Sequence, residues 1–126
     1  MLENAGIFGS SSVDDLEKAR EFYGKTLGVS VESVDDEMPV LNIGGENGVM
    51  IYEKPDHTPA TFTVLNFRVD DLRAAMKELR ARGVRFEVYN MEELKTDSDG
   101  VLTHGEMSIA WFKDPAGNIL SVLEEK

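Results

Sequence analysis

The tetrapeptide Val-Asp-Asp-Leu occurs twice, at 13–16 and at 69–72, and each copy opens the same succession of apolar and charged positions. The first copy runs VDDLEKAREFYGKTLGVSVE and the second VDDLRAAMKELRARGVRFEV. Allowing one residue of slippage, Leu16 matches Leu72, Ala19 matches Ala75, Gly28-Val29 matches Gly83-Val84 and Glu32 matches Glu87. Such a repeat implies two similar halves. A half of roughly 55 residues cannot bury both faces of a sheet alone, so the halves are expected to pack as one domain. The 126 residues, 41% hydrophobic, suffice for one core.

Each half opens with acidic residues where a helix begins, and Asp14 and Asp70 are the expected caps. Leu16, Ala19, Phe22, Tyr23 and Leu27 recur at helical spacing, as do Leu72, Ala75, Met76 and Leu79. Gly28 and Gly83 end these helices, and alternating β-branched or aromatic segments follow. The first half thus reads as strand 6–11, helix 14–27 and strands 30–34, 39–43 and 49–53, with Gly44-Gly45-Glu46-Asn47-Gly48 as a turn. The second reads as strand 62–68, helix 70–82 and strands 85–89, 105–112 and 119–124. The fold class expected is α+β, two paired βαβββ modules (1–54 and 61–126) forming one curled mixed sheet around a cavity. Residues 55–60, with two prolines, form the connector. The segment Asp114-Pro115-Ala116-Gly117-Asn118 reads as a tight turn between the last two strands.

Twenty-four acidic against 13 basic residues leave a net charge of −11, which opposes a nucleic-acid partner because association would begin with repulsion. Arg80 and Arg82 are read as cations near a helix end. The charged fraction of 29% and the lack of a long apolar run argue against a transmembrane segment, and residues 1–12 show no secretory pattern. Without cysteine there is no disulfide, thiol nucleophile or thiolate metal site. A cytoplasmic location is the expectation.

The two helical motifs, together with WFKDPAGNILSVLE near the end of the chain, resemble the vicinal oxygen chelate superfamily, which includes glyoxalase I, extradiol dioxygenases and the bleomycin and fosfomycin resistance proteins. The resemblance implies paired βαβββ modules around a pocket, often in a homodimer. It also implies a divalent metal held by His or Glu from the first and last strand of each module. The first-strand positions fall on Phe8 and Val64, neither of which can coordinate a metal. The closing position of the second half is Ser121, a poor ligand, and that of the first half falls near Ile51, with Glu53 as its coordinating neighbour. The metal chemistry of the family is therefore not expected, and no cofactor is assigned.

Two histidines exist, His57 in the connector and His104 before the penultimate strand. His104 and Glu106, two residues apart, would share a strand face, and with Glu53 they are the alternative metal set. Asp97, Asp99 and Gly100 lack the remaining ligands of a calcium loop. Ser10, Ser11 and Ser12 lie in no nucleophile elbow, and no motif places a histidine as their base, so a serine hydrolase is not expected. GGENG lacks the features of a phosphate loop, and the acidic runs Asp35-Asp36-Glu37 and Glu92-Glu93 read as solvated loops.

If Phe8 and Val64 face inward, as the resemblance implies, strand parity adds Ser10, Phe62 and Asn66 to that face. Ser121 and Leu123 would join from the last strand, with Ile51 and Glu53 from the first half. Trp111 and Phe112 point to opposite faces, so one of them lines the pocket and the sequence leaves open which. The leading expectation is a small-molecule-binding protein with an apolar floor, a few polar groups and no metal. The alternatives are a metal-dependent lyase or dioxygenase with unconventional ligands and a structural or regulatory subunit.

Overall fold

The computed structural model describes residues 1–35, 39–45 and 48–125. The chain divides into two compact units, Met1–Thr58 and Pro59–Lys126. Each carries one βαβββ module, so the α+β class and the two-module plan are those expected. The backbone ladders form two four-stranded sheets, one per unit, in place of one continuous sheet. The expected turn at Gly44–Gly48 and the run Asp35-Asp36-Glu37 fall partly on Glu46, Asn47, Asp36 and Glu37, which lie outside the described residues.

In the first unit β1 (Ser10–Val13) leads to α1 (Leu16–Glu21), a π-helical turn at Phe22–Thr26, and strands β2 (Val31–Asp35), β3 (Val40–Ile43) and β4 (Val49–Glu53). The sheet order is β1-β4-β3-β2, with β1 parallel to β4 and the other pairs antiparallel. The helix begins at Leu16 rather than at 14, and its cap lies one residue later than expected. Asp15, in extended conformation, accepts from the Lys18 amide at 3.1 Å and is the cap in place of Asp14. After Glu21 the ladder widens, the Leu27 amide donating to the Phe22 carbonyl at 2.9 Å, so the expected continuous helix finishes as a π turn. Tyr23 in this turn is fully buried and meets Phe22 edge to face.

In the second unit β5 (Thr63–Arg68), α2 (Leu72–Ala81), β6 (Val101–His104), β7 (Met107–Lys113) and β8 (Ile119–Glu125) give the order β5-β8-β7-β6. Asp71, not Asp70, caps α2 through the Ala74 amide at 3.1 Å. Gly83, at φ 94°, follows the helix in the left-handed region that a side chain would strain. The expected strand 85–89 reduces to a single bridge from Phe86 to Phe112, with the Glu87 amide donating to the Trp111 carbonyl at 2.8 Å. The fourth strand is instead β6, which turns through Gly105 and Glu106 into β7.

Register partners share a sheet face, which sorts the side chains. In the first unit Val13, Leu41, Ile43 and Ile51 are buried on the face that carries α1. In the second, Ala110, Phe112, Leu120 and Val122 are buried on the face that carries α2, whose Leu72 and Met76 are buried too. A closing-strand glutamate ties each helix to its sheet. Glu53 accepts from the Leu16 amide at 3.2 Å, and Glu124 from the Leu72 amide at 2.9 Å. Both carboxylates thus meet the positive end of a helix. Among the described residues no helix is long and apolar enough to cross a membrane.

Candidate functional site

The helices occupy one face of each sheet, and the side chains that remain for recognition point to the far face. On β8 alternation divides the strand: Leu120, Val122 and Glu124 serve the helix side, while Ile119, Ser121 and Leu123 point away. Ser121 is fully buried and donates to Asn66 Oδ1 at 2.5 Å, its register partner on β5. Beside it on β7, Trp111 donates from Nε1 to Thr63 Oγ1 at 3.0 Å and stands edge to face with Tyr89, ring centroids 5.7 Å apart. Burial pushes the Tyr89 phenol up, and the nearby Glu87 carboxylate adds to the effect. The far face of the second unit thus brings together two aromatic rings, a hydroxyl–amide pair and the apolar Ile109 and Leu123.

The sequence expectations divide on this geometry. Asn66, Trp111, Ser121 and Leu123 share the far face, and Phe112 lies on the helix side, where it packs edge to face on Phe86 at 5.6 Å. A β-bulge between Thr63 and Leu65 adds a residue to β5, so Thr63 rather than Phe62 or Val64 pairs into this face. Thr63 is the residue the sequence reading missed. Phe62 precedes the strand and is 67% exposed, and Val64 is the extra residue of the bulge, half-buried.

In the first unit Ser10 pairs with Met50 and Ser12 with Tyr52 on the far face, together with Asn42 and Val40. Ile51 and Glu53, expected beside Ser10, face the other way. Ile51 is fully buried on the α1 side, and Glu53 bonds the first turn of that helix. Phe8 precedes β1 and is 66% exposed. Glu53 follows Met50 by three positions, as Glu124 follows Ser121, so the counterpart of Ser121 in the first module is Met50, the residue next to Ile51. A thioether at this point is a soft ligand that a divalent hard or borderline metal does not favour.

His104 ends β6 and Glu106 lies in the turn that follows, so they do not share a strand face as expected. Among the described residues no three His, Asp or Glu side chains converge in a group that could hold a metal ion, and Glu53, His104 and Glu106 belong to no such group. The loop that resembled a calcium site is tied down by protein instead. Arg73 pairs with Asp97 and Asp99 at 3.0 Å each, and Asp97 accepts from the amides of Asp99 and Val101 at 2.9 Å. Those bonds, the Val101 amide first, hold the Asp97 carboxyl below its usual range against some burial. A cavity of about 570 Å³ opens beside α1, bounded by Asp15, Lys18, Arg20, Gly24 and Val31, and none of the residues expected to bind ligand lines it.

Serine chemistry looks different in three dimensions. His57 reaches back from the connector to place Nδ1 2.6 Å from Ser12 Oγ, a pairing across 45 residues that no motif signalled.

No curated protein matches the chain. Among solved structures it is similar to TnmS3, an antibiotic binding protein from Streptomyces sp. CB03234, with 23% identity over 98% of both chains and a TM-score of 0.72. It is also similar to a glyoxalase/bleomycin resistance protein from the same Streptomyces strain, 25% identical over 91% of this chain and 96% of that one, TM-score 0.68. A superfamily member from Sphaerobacter thermophilus DSM 20745 is 24% identical over 94% and 97% of the two chains, TM-score 0.68. The family model that matches covers residues 10–122, from the start of β1 into β8. With nearly every element inside that match, the chain belongs to the Glyoxalase/Bleomycin resistance protein/Dioxygenase superfamily.

Proposed function

We propose that the chain binds a small molecule on the far faces of its sheets without a family-type metal, acting in the cytoplasm as a homodimer. The observation that carries the reading is the make-up of the positions where the family resemblance places metal ligands. Phe8, Val64, Met50 and Ser121 stand there, and Ser121 is engaged with Asn66 beside the Trp111–Tyr89 pair. An aromatic wall with a few oriented polar groups suits an amphipathic or partly aromatic ligand better than it suits a metal. The antibiotic-binding role named for TnmS3 supports a sequestering function, which needs no catalytic residue.

Native mass spectrometry of protein purified without chelators tests this reading. The expected spectrum is a dimer carrying small-molecule mass and no stoichiometric metal. A stoichiometric divalent metal whose removal abolishes binding would overturn the proposal in favour of a metal-dependent lyase or dioxygenase.

A further inference from the structure

The Ser12–His57 pair lies on the far face of the first module, and one end of it is incomplete. Ser12 points to that face beside its register partner Tyr52. After β4 the chain turns back over the end of β1: the Lys54 amide donates to the Val13 carbonyl at 2.8 Å, and the His57 amide to the Lys54 carbonyl at 2.9 Å. This turn delivers the imidazole to Ser12, Oγ to Nδ1 2.6 Å. The contact allows either tautomer of the ring; with Ser12 donating to Nδ1, the ring proton resides on Nε2. Nε2 is buried and has no hydrogen-bond partner among the described residues. A buried donor left unpaired is costly, so a protein that keeps one is arranged to have it satisfied by something else.

We propose that His57 Nε2–H is the polar anchor of the ligand on this face, and that the ligand offers it a neutral carbonyl oxygen carried on a ring system. This rests on the small-molecule-binding reading and deepens it. The carbonyl is neutral because a carboxylate would enter a protein of net charge −11, and Lys54, the nearest cation in sequence, is paired with Asp56 at 2.6 Å. The ring system follows from the neighbours, since Met50 and Tyr52 flank Ser12 on the far face and offer an apolar and aromatic surface. Because the nitrogen is covered, ligand entry displaces the atoms over it. Ser12 acts as a positioning residue, holding the tautomer that makes Nε2 a donor.

The test is nitrogen NMR of protein with ¹⁵N-labelled histidine rings, titrated with acetophenone and with ethylbenzene, a probe of the same shape that lacks the carbonyl. Exposed His104 serves as the internal reference. The expected result is a His57 ring that carries a proton on Nε2 and accepts at Nδ1, whose Nε2 signal moves and saturates with acetophenone and stays with ethylbenzene. His57→Phe is expected to weaken acetophenone about tenfold, the worth of one well-made buried hydrogen bond. Ser12→Ala is expected to let the ring populate both tautomers and to weaken binding less. A proton on Nδ1, equal responses to the two probes, no response up to the solubility of acetophenone, or wild-type affinity in His57→Phe would each overturn the proposal. Quenching of Trp111 fluorescence by a ligand that leaves His57 silent would overturn this anchor alone, whereas failure of the small-molecule reading shows separately in the native mass spectrum.

Discussion

The two closing-strand glutamates make the same bond to the first turn of a helix in different surroundings, so their removal measures what burial adds. Glu124 is 9% exposed and accepts from the Leu72 amide at 2.9 Å, whereas Glu53 is exposed and accepts from the Leu16 amide at 3.2 Å. A hydrogen bond to a buried charged acceptor is worth about 1.5–3 kcal/mol, and the helix end adds to it, so Glu124→Ala is expected to cost about 2 kcal/mol. At Glu53 water replaces the lost acceptor, and about 0.5 kcal/mol is expected. An unfolding entropy of about 2.1 cal/mol/K per residue gives about 0.26 kcal/mol/K for 126 residues, hence melting-temperature losses of about 8 °C and 2 °C. Each variant keeps its Asp cap, Asp71 or Asp15, bonded at 3.1 Å, which makes the two helices matched controls. Glu124→Gln retains an acceptor oxygen without the charge and is expected to fall between wild type and Glu124→Ala. Calorimetry at neutral pH reads all three. Equal losses for the two alanine variants, or a larger one at Glu53, would refute the claim that burial sets the strength of this bond.

Asp114 is buried and accepts from the amides of Ala116 and Asn118 and from Asn118 Nδ2, each at 2.9 Å. Asp114→Ala should therefore cost about 2–4 kcal/mol in urea unfolding while leaving ligand stoichiometry in the surviving folded protein unchanged. Asp97 has its native pKa depressed, so its contribution is present above the unfolded value of about 3.9 and is lost as pH falls through the lower native value. Asp97→Asn should flatten that acid limb, as read by denaturant titrations across the range, and an unchanged limb would show that the bonds to Asp97, the Val101 amide foremost, do not favour its charged form in the fold. Thr63→Val removes the acceptor of the Trp111 indole; a loss of about 0.5–1.5 kcal/mol and a shifted emission from the single tryptophan are expected, and identical emission would contradict the bond.

How much of this could be read from sequence depends on whether the signal was local. The repeated VDDL and the apolar spacing after it placed both helices, and the DPAGN turn was legible because each residue suits a local backbone need. With two adjacent aspartates before each helix, pattern alone does not fix which backbone is extended, and the cap shifted to Asp15 and Asp71. Residues 85–89 alternate like a strand, but alternation reports exposure and not pairing. Only Phe86 finds a bridge there, and the short β6 is defined by its partner β7. The bulge at Thr63 to Leu65 was invisible for a related reason, since one extra residue is recognised only against the strand beside it. The least legible feature was the Ser12–His57 contact, which joins residues 45 apart through a turn with no strand or helix period.

Period two also explains why the family could be read more easily than the function. Along β8 the residues that hold the fold and those available for recognition are interleaved: Leu120, Val122 and Glu124 bury against or bond the α2 side, while Ser121 and Leu123 face away. The first set is constrained by packing with a helix, and it lies within the span 10–122 that the family model matches or just beyond it. The second set is not held by a helix, so a residue such as Ser121 on β8, or Met50 on the far face of the first unit, can vary without disturbing the alternation that forms the strand. A substitution on the far face should therefore change binding at little cost in stability, and one on the helix side should do the reverse. Ser121→Ala against Val122→Ala is the closest such pair, adjacent in sequence and opposite in face. The valine variant is expected to lose about 1–3 kcal/mol of stability with binding intact, and the serine variant to lose affinity with a cost below about 1.5 kcal/mol.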